Sequence, residues 1–107
     1  MCGINGIWNF IGAEVHKQSI IKMNAILKHR GPDENNQIIN KNIGLGHTRL
    51  SIIDIHSGKQ PMVNDDKNVY LIYNGEIYNY LSLKKQLQNK GYKFKTNSDT
   101  EVVLKCY

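Results

Sequence analysis

Segments of strand character alternate with segments of helical period along this chain, and that alternation limits it to a layered mixture of helix and sheet. Residues 2–10 read as a buried strand carrying Ile4, Ile7, Trp8 and Phe10, with Gly3 and Gly6 where backbone or ligand can approach closely. Residues 13–29 read as a helix, because Ile20, Met23 and Leu27 recur at helical spacing and Arg30-Gly31-Pro32 stops them. A second strand region, rich in β-branched residues, spans 43–54 and ends at the turn cluster His56-Ser57-Gly58. A third, 69–73, ends on Asn74-Gly75, a dipeptide that favours tight turns with positive φ. The spacing of Leu81, Leu83 and Leu87 predicts a helix over 79–89 with Gly91 as its end, then a short strand over 93–96. Ser98-Asp99-Thr100-Glu101 has the pattern of a capping box opening a last helix. No repeat, linker or domain boundary intervenes, so an α/β or α+β layered domain is expected.

The length of 107 residues suits one small domain with a single core. With 40% hydrophobic and 21% charged residues the chain has an ordinary soluble composition. Its longest apolar runs, such as residues 50–53, are far too short to span a membrane, and residues 2–5 do not have the charged start and apolar stretch of a signal peptide. A cytoplasmic location is the resulting expectation. The net charge of +5 invites a nucleic-acid reading, but the lysines are scattered. Lys84, Lys85, Lys90, Lys93 and Lys95, the densest set, fall on a predicted helix and strand without a nucleic-acid motif, so a solvated surface is expected. His16, His29, His47 and His56 lack metal-ligand spacing, and no metal site is expected. Cys2 and Cys106 lie at opposite ends and form neither a CxxC pair nor a disulfide framework.

Cys2 has an unusual chemical option. Removal of Met1 would place its thiol and a free α-amine on one residue. An α-amine with an ordinary pKa of roughly 7.7–8.0 is partly unprotonated near neutral pH and can take a proton from the thiol, making one residue nucleophile and base together. The competing account is a small buried cysteine that happens to stand second.

Behind Cys2-Gly3-Ile4 come His29-Arg30-Gly31-Pro32-Asp33, Arg49-Leu50-Ser51-Ile52-Ile53-Asp54, Gln60-Pro61, Asn74-Gly75-Glu76-Ile77-Tyr78-Asn79 and Ser98-Asp99-Thr100-Glu101. In that order and register they resemble the glutaminase domain of the glutamine-hydrolysing asparagine synthetases, a class II glutamine amidotransferase domain, over the whole chain. The N-terminal Cys-Gly-Ile is shared with other class II amidotransferases. The His29 and Arg49 motifs separate this branch from the glucosamine phosphate and purine enzymes, and less well from synthetase-like enzymes that amidate other carboxylates.

The resemblance implies an α+β N-terminal nucleophile (Ntn) hydrolase fold, a four-layer αββα sandwich of which residues 2–107 form an incomplete part. It implies Cys2 as nucleophile and Asn74 and Gly75 as the oxyanion hole, although Asn-Gly is also a plain turn signal. Arg49 is implied as the clamp for the α-carboxylate of glutamine, a task suited to its planar fork. The backbone of Leu50, Ser51, Ile52 and Ile53 lines the same pocket in the family, and Glu76 and Asp99 hold the substrate's α-amino group. Asp99 also suits the first turn of a helix. Arg30 and Asp33 are expected to be architecture beside the pocket, and Cys106 to have no catalytic part. A synthetase domain using ATP and magnesium would act in cis or in trans to amidate aspartate, and no cofactor is expected in this segment. The open end after Tyr107 keeps alive a non-catalytic relic or binding module, and self-association.

Overall fold

The computed structural model describes residues 1–51 and 58–107. Three antiparallel strands, β1 (Gly3–Trp8), β2 (Glu34–Asn40) and β3 (Ile43–Arg49), form one sheet in the order β1-β3-β2. The helix α1 (Lys17–Leu27), followed by a 3-10 turn over Lys28–Arg30, links β1 to β2 and lies across all three strands. Beyond it, β4 (Met62–Val63) and β5 (Tyr70–Leu71) form a second antiparallel pair. Two helices complete the described chain, α2 (Tyr80–Asn89) and α3 (Asp99–Cys106), packed on each other, with α3 also against β4. This is an α+β domain with antiparallel sheets, one of the two classes that the alternation of periods left open. Among the described residues no helix is long and apolar enough to cross a membrane.

Strand alternation explains which residues meet α1. Gly3, Asn5 and Ile7 of β1 stand opposite Thr48, Gly46 and Gly44 of β3. A β-carbon at Gly44 would press on Val15, Ile20 and Ile39, and one at Gly46 on the side chains of Asn5 and Asn24. The bare backbone of β3 therefore admits the helix closely. Ile20 is fully buried there. Beside it Asn24, also fully buried, accepts a hydrogen bond from Asn5 and donates to the Asn35 side chain and the Asn36 carbonyl. Polar bonds thus share the helix-to-sheet contact with apolar packing.

The opposite face of the sheet differs from the expectation. Residues 2–10 do not form a wholly buried strand: Ile4, Trp8 and Phe10 are exposed, and the Trp8 and Phe10 rings pack on one another with centroids 4.8 Å apart. Among the described residues that face is closed at its far end, where His47 and Arg49 are buried.

Other boundaries shift for identifiable reasons. The first helix begins at Lys17, after His16 in extended conformation, and β3 ends at Arg49; residues 52–57 lie outside the described set. The strand β2 was not expected from Asn35-Asn36-Gln37, which lack apolar alternation, and β4 is too short for a periodic signal. Asn74-Gly75 does not use positive φ; Gly12 and Gly91 are the glycines that do. Gly91 ends α2 as expected: its N–H donates to the Gln88 carbonyl and that of Tyr92 to Leu87, a Schellman closure. The expected strand over 93–96 is absent, because the Glu101 carboxylate takes the N–H groups of Lys95 and Thr96 that a ladder would need. Consequently the capping box is half formed. The Ser98 hydroxyl accepts from the Thr100 N–H at 3.1 Å, while Glu101 reaches past Ser98 to the preceding turn.

Candidate active site

A cleft of about 300 Å³ opens where the first sheet, the segment after β5 and the start of α3 converge. Cys2 lies on its wall. The Cys2 Sγ accepts a hydrogen bond from the Leu50 N–H at 3.4 Å and lies 3.7 Å from the Leu50 carbonyl, to which the thiol donates. Arg30 Nε donates to the Cys2 carbonyl at 3.2 Å. Asp33 holds the next stretch from both sides, since its N–H donates to the Arg49 carbonyl and its carboxylate accepts from the Ser51 N–H at 2.8 Å. Gly31 makes this possible, because a β-carbon there would strike the Thr48 carbonyl. The loop after α1 thus fixes both the nucleophile candidate and the end of β3, matching its expected architectural role.

Arg49 is buried, directly opposite Glu34 in the register of β2 and β3, and its Nη1 donates to Glu34 Oε1 at 2.9 Å. Its other terminal nitrogen lies against Gly58, which is pressed between Arg49 and Ser98. An arginine held this way keeps one orientation, because a planar guanidinium engaged on one edge is fixed in its plane.

Asn74, Gly75 and Glu76 form the exposed rim of the cleft. The Asp99 carboxylate is buried at the start of α3 and accepts from the Ile77 N–H at 3.1 Å, joining the helix to that rim. Tyr73 sits beside them, and its ring limits the space at Gly75. Burial, followed by the negative charges of Asp99 and Glu76, raises the Tyr73 phenol above its ordinary value, so it stays protonated and able to donate.

His47 is fully buried behind Tyr73. Its Nε2 lies 3.4 Å from the Tyr73 carbonyl, while Nδ1 has no hydrogen-bond partner among the described residues. Burial lowers its pKa below the ordinary 6.5, only partly opposed by the bond to Tyr73, with smaller contributions from Arg49 and Glu34. The unfolded chain therefore takes up this proton first as pH falls. Stability is complete above about pH 6.5 and is lost progressively towards the lowered folded value. Thermal midpoints measured from about pH 7.5 down to 5 should fall in the parent and fall less in His47→Gln, which keeps a donor for Tyr73. Equal slopes in the two would contradict this assignment.

Of the residues singled out in the sequence, Cys2, Arg49, Leu50, Asn74, Gly75, Glu76 and Asp99 line the one cleft. Ser51 lies next to it, bound to Asp33, without lining it. Ile52 and Ile53 lie outside the described residues. Sequence reasoning missed Gly58, Gln60, Tyr73, Tyr78, Ser98 and Thr100 as wall residues. Gln60 carried a signal, since Gln60-Pro61 was among the ordered motifs, and Tyr73 directly precedes Asn74. Among the described residues no group of histidine, cysteine and carboxylate side chains is placed to hold a metal, and Cys2 and Cys106 are both free thiols.

Comparison with known proteins places the chain in a family. The chain is 44% identical over 110 residues to asparagine synthetase (glutamine-hydrolysing) 1 of Bacillus subtilis, covering all of this chain and 17% of that protein. It is 48% identical over 126 residues to a putative asparagine synthetase (glutamine-hydrolysing) 2 of Methanocaldococcus jannaschii, covering 24% of it, and 43% identical over 108 residues to the Zea mays enzyme, covering 18%. It thus spans about a fifth of the length of these relatives. Residues 1–107, the whole chain, match the glutamine amidotransferase domain family, and the chain belongs to that family.

Proposed function

We propose that this domain hydrolyses glutamine through Cys2, exposed by loss of Met1, and that the ammonia serves ATP-dependent amidation of aspartate. The observation that carries the reading is the convergence of a thiol, an arginine, an Asn-Gly pair and two carboxylates, from distant parts of the chain, on one cleft. Met1 is 74% exposed, so the peptide bond after it is open to an aminopeptidase.

In the proposed reaction the Cys2 α-amine takes the thiol proton and Sγ attacks the side-chain amide carbon of glutamine. Negative charge builds on the amide oxygen, which the Asn74 side-chain amide and the Gly75 N–H meet as donors. Collapse of the tetrahedral intermediate breaks the carbon–nitrogen bond, and the α-ammonium returns its proton to the departing ammonia. Water then attacks the γ-glutamyl thioester, the amine again accepting a proton, and glutamate leaves as the thiol is restored. Leu50 holds Sγ through this cycle. Arg49 meets the substrate's α-carboxylate, while Glu76 and Asp99 face its α-ammonium, so the zwitterionic end is recognised by charges of both signs. Leu50 forms the adjoining wall. The remaining layers of an Ntn sandwich, and a synthetase domain that holds ATP and magnesium, belong to the same proposal; its basis is the identity to asparagine synthetases across this chain.

The test is release of glutamate and ammonia from glutamine by the protein as encoded, in parent and Arg49→Lys. Lysine keeps the positive charge opposite Glu34 and loses the bidentate fork. The expected result is a KM for glutamine raised about 10-fold or more with a smaller change in kcat. An unchanged KM removes Arg49 from the clamp, and no glutamate release by the parent removes the function.

A further inference from the structure

Gln60 stands between the rim of the cleft and the start of α3 and is buried. Its Oε1 accepts the Tyr73 N–H at 2.6 Å, and its Nε2 donates to Thr100 Oγ1 at 3.2 Å. On the other side of Tyr73, His47 reaches the carbonyl. Tyr73 lies two residues beyond β5, past the short ladder with β4, so buried side chains take over the work of a strand partner. The next two residues, Asn74 and Gly75, are both exposed.

We propose that Gln60 is a positioning residue for glutamine hydrolysis: by tying the Tyr73 backbone to Thr100 it sets where the Asn74 and Gly75 donors stand relative to Cys2. This rests on the oxyanion role given to Asn74. A donor contributes to catalysis only when it is already in place as charge develops, and an exposed rim gains such precision from the buried bonds behind it. The Asp99 bond to Ile77 fixes the same rim four residues beyond Tyr73. Gln60 and Asp99 thus hold the two ends of residues 73–77 to one helix start, leaving the donors between two fixed points.

The experiment is a double-mutant cycle on glutamine hydrolysis by the protein as encoded, using Gln60→Leu, Asn74→Ala and the combination. Gln60→Glu and Thr100→Val accompany them, with unfolding midpoints measured for all. Gln60→Leu is expected to lower kcat about 10- to 100-fold with KM changed less than about 3-fold. Adding it to Asn74→Ala should cost almost nothing further, because Gln60 acts through that donor. Gln60→Glu, which keeps the acceptor for Tyr73 and can accept from the Thr100 hydroxyl, should recover most of the lost turnover. Thr100→Val breaks only the tie to α3 and should lower kcat without raising KM; it also serves where Gln60→Leu does not fold. Losses that add across the cycle, or full turnover in Gln60→Leu and Thr100→Val while Asn74→Ala is impaired, overturn the proposal and leave the site reading intact. An unimpaired Asn74→Ala overturns the oxyanion reading and the proposal with it.

Discussion

Cys2→Ala is expected to abolish glutamine hydrolysis, with turnover lowered on the order of 10⁴- to 10⁶-fold, the scale on which removal of a catalytic nucleophile acts. The loss should be chemical and not structural. Among the described residues alanine removes the two hydrogen bonds of the sulfur to the Leu50 N–H and carbonyl, which costs about 1 kcal/mol of stability. The cleft walls carried by Arg49, the Asn74 rim and Asp99 remain, so glutamine should still bind. Glutamate release by rapid-quench assay together with glutamine binding by calorimetry separates the two. Residual turnover within about 100-fold of the parent would show that another group attacks the amide. Loss of binding in step with turnover would show that the substitution had disturbed the cleft.

Asn74→Ala is expected to lower kcat about 100- to 1,000-fold while KM for glutamine changes little, because its amide is needed mainly when negative charge appears on the substrate oxygen. The structure makes this substitution cleaner than the sequence suggested. An Asn-Gly turn with positive φ would lose stability with alanine, yet neither residue adopts positive φ here and Asn74 is exposed. Stability should therefore change by no more than about 0.5 kcal/mol. Steady-state kinetics and urea midpoints on the same preparations check both halves. Parallel loss of kcat and rise of KM, or a large fall in midpoint, would assign Asn74 to architecture.

The parts of the fold that were legible in the sequence are those whose local chemistry and tertiary packing agree. Ile20, Met23 and Leu27 predict the first helix and Ile20 anchors it; Gly91 predicts the end of α2 and closes it with positive φ. Where long-range bonds replace apolar burial, the sequence misleads. The strand β2 is polar because its side chains bond other side chains, Asn35 accepting from the buried Asn24 and Asn36 donating to Glu34. Residues 93–96 look like a strand but surrender two backbone donors to Glu101. In β1 the closely packed face belongs to Gly3 and Asn5, and Ile4 and Trp8 point the other way. The candidate site was legible through the ordered motifs and the family they resemble, since Cys2 alone reads as a buried cysteine and Asn74-Gly75 alone as a turn. The roles of its supports, Gln60, His47 and Tyr73, were not legible, even with Gln60-Pro61 among the motifs: they lie in bonds to the Tyr73 backbone that only the folded chain brings near.

If the N-terminal thiol of Cys2 attacks glutamine, Cys106 provides an internal control, because it is a second free thiol, exposed to solvent and not among the residues that line the cleft. A chloroketone analogue of glutamine, applied to the protein as encoded, should give a single adduct by intact mass and peptide mapping. The expected result is that Met1 is absent, that the adduct is on Cys2, that its rate saturates with reagent and is suppressed by glutamine, and that Cys106 reacts only at the rate of an ordinary thiol. An active protein that retains Met1, or labelling of Cys2 no faster than Cys106 and indifferent to glutamine, would contradict it.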